Sequence, residues 1–274
     1  MSPSISHFKK IIWTYYRKNR RDMPWRNKTT SYYVVLSEIM LQQTQVARVV
    51  EKFTSFIKHF PTWQALTRAS TKDILQEWSG LGYNRRALYL KQIAKEITDR
   101  GKKKGVLPST YEELCELPGI GPNTAGSILA FAFNIPHAFI ETNIRSVFIH
   151  FFFKDTSEKI HDQDILTLVE KTLDTDNPRE WYYALMDYGA YLKNTQANPS
   201  RKSAHHVRQT PFKGSNRELR SHILKYILKK PTNTQQVVKS FPRAPAEHIT
   251  KNLNALEKEG FIMYKEKTGL YHIA

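Results

Sequence analysis

Apolar residues recur at a spacing near 3.6 through residues 6–19, 31–58, 71–79, 83–101, 121–133, 142–152, 161–174 and 178–192, so most of the chain reads as amphipathic helix. Phe60-Pro61, Ser79-Gly80-Leu81-Gly82, Pro118-Gly119 and Asn177-Pro178 separate these segments, because Pro and Gly end helices and open turns. No convincing strand alternation precedes residue 260, and no internal repeat is visible. From Asn194 to Gly214 the periodicity lapses, and Asn198-Pro199-Ser200-Arg201-Lys202, His205-His206 and Pro211 read as a basic connector. Beyond it the pattern predicts three short helices, Glu218–Leu228, Thr234–Phe241 and Pro245–Glu259. Two apolar strands follow, Gly260–Tyr264 and Leu270–Ile273, around a Lys/Glu/Thr/Gly turn.

The fold class expected is mainly α, with a large helical domain over residues 1–213 and a small one over 214–274. Three helices and a terminal hairpin resemble a winged helix-turn-helix. In such a module the third helix, here carrying His248, Lys251 and Asn252, faces a DNA groove, although winged helices also bind proteins.

Charge narrows the partners. Lys plus Arg number 42 against 25 Asp plus Glu, a formal +17. The excess is local: residues 193–230 hold ten Lys or Arg and only Glu218, and the first thirty residues hold eight against Asp22. A polyanion is the partner this field attracts, with nucleic acid foremost and simple solubilisation the plainer alternative. With 40% hydrophobic residues in 274 the chain can bury a real core. Met1-Ser2-Pro3-Ser4 opens no apolar signal segment and no run approaches about 18 apolar residues. A soluble intracellular protein is expected, cytoplasmic and nucleoid-associated in a prokaryote. Cys115 is the only cysteine, which rules out a disulfide or a cysteine-held cluster within this chain; its apolar-periodic neighbours make it a buried structural thiol.

Leu117-Pro118-Gly119-Ile120-Gly121 lies between two helical patterns and runs into Asn123-Thr124-Ala125-Gly126. Its glycines permit a tight hairpin that can offer backbone N–H groups and a helix start to phosphate; a plain helix–helix turn needs the same glycines. Twenty residues after Gly121 comes Phe139-Ile140-Glu141-Thr142-Asn143-Ile144-Arg145, a carboxylate at a probable helix start. Hairpin and acid at this distance resemble the helix-hairpin-helix DNA glycosylase superfamily. Arg21-Asp22-Met23-Pro24-Trp25-Arg26 and Leu36-Ser37-Glu38-Ile39-Met40-Leu41-Gln42-Gln43-Thr44-Gln45 narrow the likeness to the adenine-specific mismatch glycosylases. It continues through Phe60-Pro61-Thr62, Trp78–Tyr83 and Met186-Asp187-Tyr188-Gly189, covering roughly residues 5–193.

The resemblance implies a role for each matching position. Glu38 is the general acid that protonates the purine, its apolar flanks raising its pKa, whereas a lone Glu on such a helix is otherwise a surface residue. Glu141 is the acid that steadies the cationic sugar. Arg21, Trp25, Leu41, Asn123 and Asn143 line the pocket for the flipped base, with core packing the competing use of Trp25. Gln43, Thr44, Leu81 and Tyr83 fill the gap in the duplex and meet the opposite base. Leu117, Gly119, Gly121 and Thr124 bring the hairpin to phosphate, with room for a structural monovalent cation. Asn123 stands where bifunctional relatives carry lysine, so no Schiff base forms and water is the nucleophile.

Three departures stand out. The family acid opposite the sugar is aspartate, and Glu141 adds a methylene of about 1.5 Å. The four cysteines that follow Met-Asp-x-Gly in relatives are missing, so no iron–sulfur cluster forms. Arg201, Lys202, His205, His206 and Arg208 are left to make the phosphate contacts, the histidine pair lacking a third metal ligand. Residues 214–274 are also too short for the Nudix-like domain of many relatives. The expectation is a monomeric, monofunctional base-excision enzyme acting on double-stranded DNA, its cleft between a helical barrel and a lobe built from both ends of the large domain, removing adenine opposite 8-oxoguanine or guanine. The alternatives are a thymine or uracil mismatch glycosylase and a non-catalytic DNA-binding protein derived from a glycosylase.

Overall fold

The computed structural model describes residues 3–100, 105–206 and 210–274. In chain order the helices are α1 (Ile5–Asn19), α2 (Pro24–Asn27), α3 (Ser31–Leu41), α4 (Val46–His59), α5 (Trp63–Arg68), α6 (Thr71–Trp78), α7 (Arg85–Asp99) and α8 (Tyr111–Glu116). They continue with α9 (Pro122–Ile128), α10 (Thr142–Phe152), α11 (Asp162–Thr172), α12 (Pro178–Thr195), α13 (Asn216–Lys229), α14 (Thr234–Ser240) and α15 (Ala246–Lys258), before β1 (Ile262–Lys265) and β2 (Leu270–Ile273). Short polar side chains open many of these helices. Ser4, Thr62, Ser70, Thr110, Ser215 and Asn233 each accept the backbone N–H three residues on, satisfying a donor the helix cannot. Among the described residues, no helix is long and apolar enough to cross a membrane.

Two compact units interleave along the chain: Met1–Ile39 with Leu107–Arg208, and Met40–Val106 with Gln209–Ala274. In the first, Phe8 of α1 meets Phe148, Phe151 and Phe152 of α10 and Trp181 of α12 at ring separations of 5.1–6.0 Å. Phe8, Phe148 and Trp181 are fully buried, and apolar area on this scale dominates the stability of the unit. Helices α10 and α12 approach so closely that a Cβ on Gly189 would overlap the backbone of Asn143.

The second unit departs most from the sequence pattern. One helix was expected over 31–58, but α3 stops at Leu41, Gln43 takes a left-handed φ of 54°, and α4 restarts at Val46. The cause is Arg86. Its buried guanidinium donates to the carbonyls of Met40 and Gln42 at 2.9 and 2.6 Å and to the Thr44 hydroxyl at 3.0 Å, drawing the chain out of the helix. Helix α7 likewise starts at Arg85 and not at residue 83, since Tyr83 has φ 46°. The stretch 121–133 divides into α9 and a π-helical turn, Leu129–Phe133, closed by left-handed Asn134. Cys115 is half-buried, not buried, and hydrogen-bonds the Tyr111 phenol.

The connector is more ordered than its composition suggests: Pro199–Lys202 forms one 3₁₀ turn, Ser200 and Ser203 are buried, and Ser203 bridges to Ile160. Helices α13, α14 and α15 precede an antiparallel hairpin in which Ile262 faces Ile273 and Lys265 faces Leu270, the order of elements expected. Asn252 does not face outward as expected. It is 4% exposed and donates to Asn216 Oδ1 at 2.7 Å and to the His248 carbonyl, fastening α15 to α13, whereas His248 and Lys251 are exposed.

Because the clash at residue 189 is with backbone, Gly189→Ala must push α12 from α10. A loss of about 2–3 kcal/mol in urea unfolding is expected; wild-type stability would mean the helices can part freely.

Candidate active site

Glu38 lies on the last turns of α3. The residue is half-buried, yet protein packs densely around its carboxyl, and burial pushes its pKa up to about 7. A hydrogen bond from Ser127, at 2.6 Å to Oε2, works against that rise; the Glu141 carboxylate adds to it and Arg26 opposes it. Removal of a buried charge from water outweighs the single neutral donor, which leaves a carboxyl protonated near neutrality and able to give its proton away.

Arg26 reaches this neighbourhood because of Asp187, whose side chain is fully buried on α12. Arg26 forks onto both carboxylate oxygens at 2.9 and 2.8 Å, and Arg21 adds its backbone N–H at 2.9 Å and Nε at 2.7 Å. The Arg26 guanidinium also lies over the Tyr183 ring, 4.2 Å from its centroid. This cluster fixes the segment around α2, so Trp25, at 5% exposure, is packed in the first unit beside a half-exposed Arg21.

Glu141 is the N-cap of α10. Oε1 accepts the backbone N–H groups of Asn143 and Ile144 at 2.7 and 3.1 Å, and Oε2 accepts Asn143 Nδ2 at 3.3 Å. Asn143 in turn accepts Lys193 Nζ at 2.7 Å, and burial lowers the pKa of that lysine. Glu38, Glu141, Asn143, Arg21 and Trp25 thus belong to one unit, with the Glu38 and Glu141 carboxyls close enough to perturb each other. Asn123 is in the same unit, exposed, its Oδ1 accepting the Ile140 N–H at 3.2 Å. In the hairpin Leu117 is buried, Thr124 half-buried and Gly119 (φ 77°) and Gly121 exposed.

Leu41, Gln43, Thr44, Leu81 and Tyr83 belong to the second unit. Arg86 gathers their two loops: beyond Met40, Gln42 and Thr44 it donates to the carbonyls of Leu81, Gly82 and Tyr83 at 3.3, 3.0 and 3.3 Å. Burial pushes its pKa down to about 10. Tyr83 is 40% exposed and accepts Arg217 Nη1 at 3.2 Å, and Arg217 is anchored on the Thr210 carbonyl. Arg85 and Arg220 both pair with Glu259 at the end of α15. These contacts close a pocket of about 840 Å³ lined by Gln43, Arg48, Tyr83, Phe212, Arg217 and Lys225, among others.

Of the basic tract, Arg201 is exposed, but the Lys202 ammonium is spent on the carbonyls of Lys154 and Thr156 at 2.6 and 3.2 Å. Arg208 lies outside the described residues. Among the described residues no cluster of three or more His, Cys, Asp or Glu could hold a metal ion. Sequence reasoning missed the site's fixing residues, Arg26, Asp187, Arg86, Ser127 and Lys193. The available signal was that Arg26 and Asp187 each stand inside one of the quoted motifs.

A carboxyl raised from about 4.3 in the unfolded chain to about 7 stabilises the fold fully below pH 4 and loses that contribution as pH rises through 7. Glu38→Gln is therefore expected to raise stability at pH 8 by roughly 1–3 kcal/mol and by far less at pH 4. Equal effects at both pH values in chemical denaturation would refute the raised pKa.

Residues 36–171, which include Glu38, the hairpin and Glu141, match the family model described as HhH-GPD superfamily base excision DNA repair protein. Adenine DNA glycosylase of Buchnera aphidicola subsp. Baizongia pistaciae is 37% identical over 193 residues, 69% of this chain and 53% of that protein. Adenine DNA glycosylase of Homo sapiens is 32% identical over 203 residues, 70% of this chain and 37% of that protein. The chain spans about half the length, or less, of these curated relatives. The solved structure of a thermostable thymine-DNA glycosylase superposes with a TM-score of 0.64 at 23% identity, covering 73% of this chain and 92% of that one, a likeness of fold. By the match to the family model, residues 36–171 of the chain belong to the HhH-GPD superfamily of base excision DNA repair proteins.

Proposed function

We propose that this protein is a monofunctional DNA glycosylase that removes adenine mispaired with 8-oxoguanine or guanine. The observation that carries the reading is Glu38, a carboxyl held protonated near neutral pH inside the matched segment. The relatives' shared name, adenine DNA glycosylase, supports the choice of base. In this reading adenine is turned out of the duplex and held by Arg21, Trp25, Asn123 and Asn143 of the first unit. Glu38 gives its proton to the purine ring, the N-glycosidic electron pair leaves with adenine, and the sugar becomes a cation. The fixed carboxylate of Glu141 favours that cation, because a preorganised charge in a water-poor site needs no reorganisation. Water then attacks the sugar carbon and loses a proton, leaving an abasic site. Asn123 has an amide where strand cleavage needs an amine, so the backbone stays intact.

Residues 1–213 form the glycosylase domain in this proposal, and 214–274 a winged helix that binds duplex beside the lesion. Leu117, Gly119, Gly121 and Thr124 carry the hairpin to phosphate, and the exposed Arg201 adds a cationic contact. Gln43, Thr44, Leu81 and Tyr83 meet the opposite base. The left-handed Gln43 and Tyr83 support this use, since non-glycine residues are held in such conformations mostly where function requires it.

The test uses excess protein on duplexes carrying A:8-oxoguanine, A:G, T:G or U:G, assayed for strand breakage with and without alkali. Cutting at adenine that needs alkali is expected, abolished by Glu38→Gln and slowed about 10²–10³-fold by Glu141→Gln, with a rate that falls above pH 7. Cutting only at T or U would place the chain among pyrimidine mismatch glycosylases. Tight binding without cutting would make it a DNA-binding protein.

A further inference from the structure

Ser127 belongs to none of the motifs that mark the site. It lies near the end of α9, 2% exposed, its Oγ 2.6 Å from Glu38 Oε2 and 2.9 Å from the Thr124 carbonyl. A hydroxyl carries one hydrogen, so it cannot donate along both contacts at once. The pair of distances therefore describes two settings. When Glu38 is protonated, its O–H donates to Ser127 Oγ and Ser127 donates to the Thr124 carbonyl. When Glu38 is ionised, rotation about the Cβ–Oγ bond carries the Ser127 hydrogen from the carbonyl to Oε2.

We propose that Ser127 is a positioning residue for proton transfer, turning its one hydroxyl hydrogen from the Thr124 carbonyl to Glu38 as the Glu38 proton departs to the base. The proposal rests on the reading of Glu38 as the acid. The balance is simple: one proton leaves Glu38 for the purine, and the serine hydrogen changes acceptor without leaving its oxygen. The site needs such a partner because a charge in low dielectric without a donor is costly. The other groups facing Glu38 do not serve. Glu141 on α10 repels the new charge, Arg26 on α2 is forked onto Asp187, and Tyr183 on α12 is buried and stacked on Phe131 at 4.6 Å. Ser127 is the neutral donor already in contact, and its rotation moves no backbone.

Single-turnover excision from an A:8-oxoguanine duplex across pH 5–9 tests this, for wild type, Ser127→Ala and Ser127→Thr. Alanine should move the midpoint of the alkaline limb up by about one pH unit and lower the plateau rate about tenfold, since the acid becomes weaker. Threonine, which keeps Oγ, should restore both to within about threefold. Affinity for an abasic duplex should be unchanged in all three, separating an effect on the acid from a damaged fold. A parallel titration of ¹³C-labelled carboxyls, with Glu38→Gln to assign the signal, follows Glu38 without any turnover. An unmoved midpoint and an unmoved Glu38 titration in Ser127→Ala overturn the proposal. If wild type excises nothing, the glycosylase reading fails, and the carboxyl titration alone still decides whether Ser127 sets the state of Glu38.

Discussion

The first unit depends on a carboxylate that solvent never reaches. Asp187 receives four hydrogen bonds from two arginines of the segment around α2, and without it Arg26, nearly as buried, would keep a charge with no counterion. Breaking a buried pair of this kind costs about 3–5 kcal/mol, far more than the pair adds over a well-packed apolar substitute. Its value here is positional and electrostatic. Arg26 stands close enough to Glu38 to favour ionisation, but its charge is already answered by Asp187 in a bidentate fork, so burial prevails and Glu38 stays near pH 7. The same fork holds Trp25 in place. Acidity at Glu38 is thus set first by burial, and the Arg26 charge, already paired, opposes the rise least.

Arg86 is the counterpart in the second unit, reached by a different route. Backbone carbonyls answer it, from two loops at once. A guanidinium suits this because its five N–H groups lie in one rigid plane and its charge is weakly hydrated for its size. The carbonyls it collects flank Gln43 and Tyr83, whose left-handed backbones each cost on the order of 1–2 kcal/mol. The strain and the cation belong together: the loops can hold unfavourable torsions because the freed carbonyls are satisfied in the bent form.

What the sequence revealed and concealed follows from range. Long helices such as α1, α7 and α12 repeat their apolar period often enough to be read, whereas α2, α5 and α8 have four to six residues and show no period. The break at Gln42–Gln45 was invisible because its cause lies 46 residues from Met40, and Ser127 meets Glu38 across 89. Motifs carried Glu38, Glu141 and the hairpin, since their residue types and spacing are themselves the signal. Lys202 and Asn252 show the opposite failure: charge and amide suggested outward contacts, but a nearby carbonyl and a neighbouring helix claim them. Composition counts polar groups without saying which the fold spends on itself.

Glu141 shows how a side chain one methylene longer than aspartate can be accommodated. An added methylene would displace a carboxylate hanging freely from the backbone, but this one is captured at the start of α10, where Oε1 is fixed by two amides of the first turn. The extra length is taken up by folding the side chain back onto its own helix. Capping also places the anion at the positive end of α10, where the helix dipole favours it. The cost is that one oxygen is committed to the fold. The other, Oε2, has only the longer contact with Asn143 Nδ2, and Asn143 is itself held by Lys193. The less committed oxygen is thus oriented through an amide and a lysine on α12. Helix α12 is also the one that Gly189 lets pack against Asn143, so the placement of this acid depends on the approach of α12 to α10 as much as on the length of its side chain.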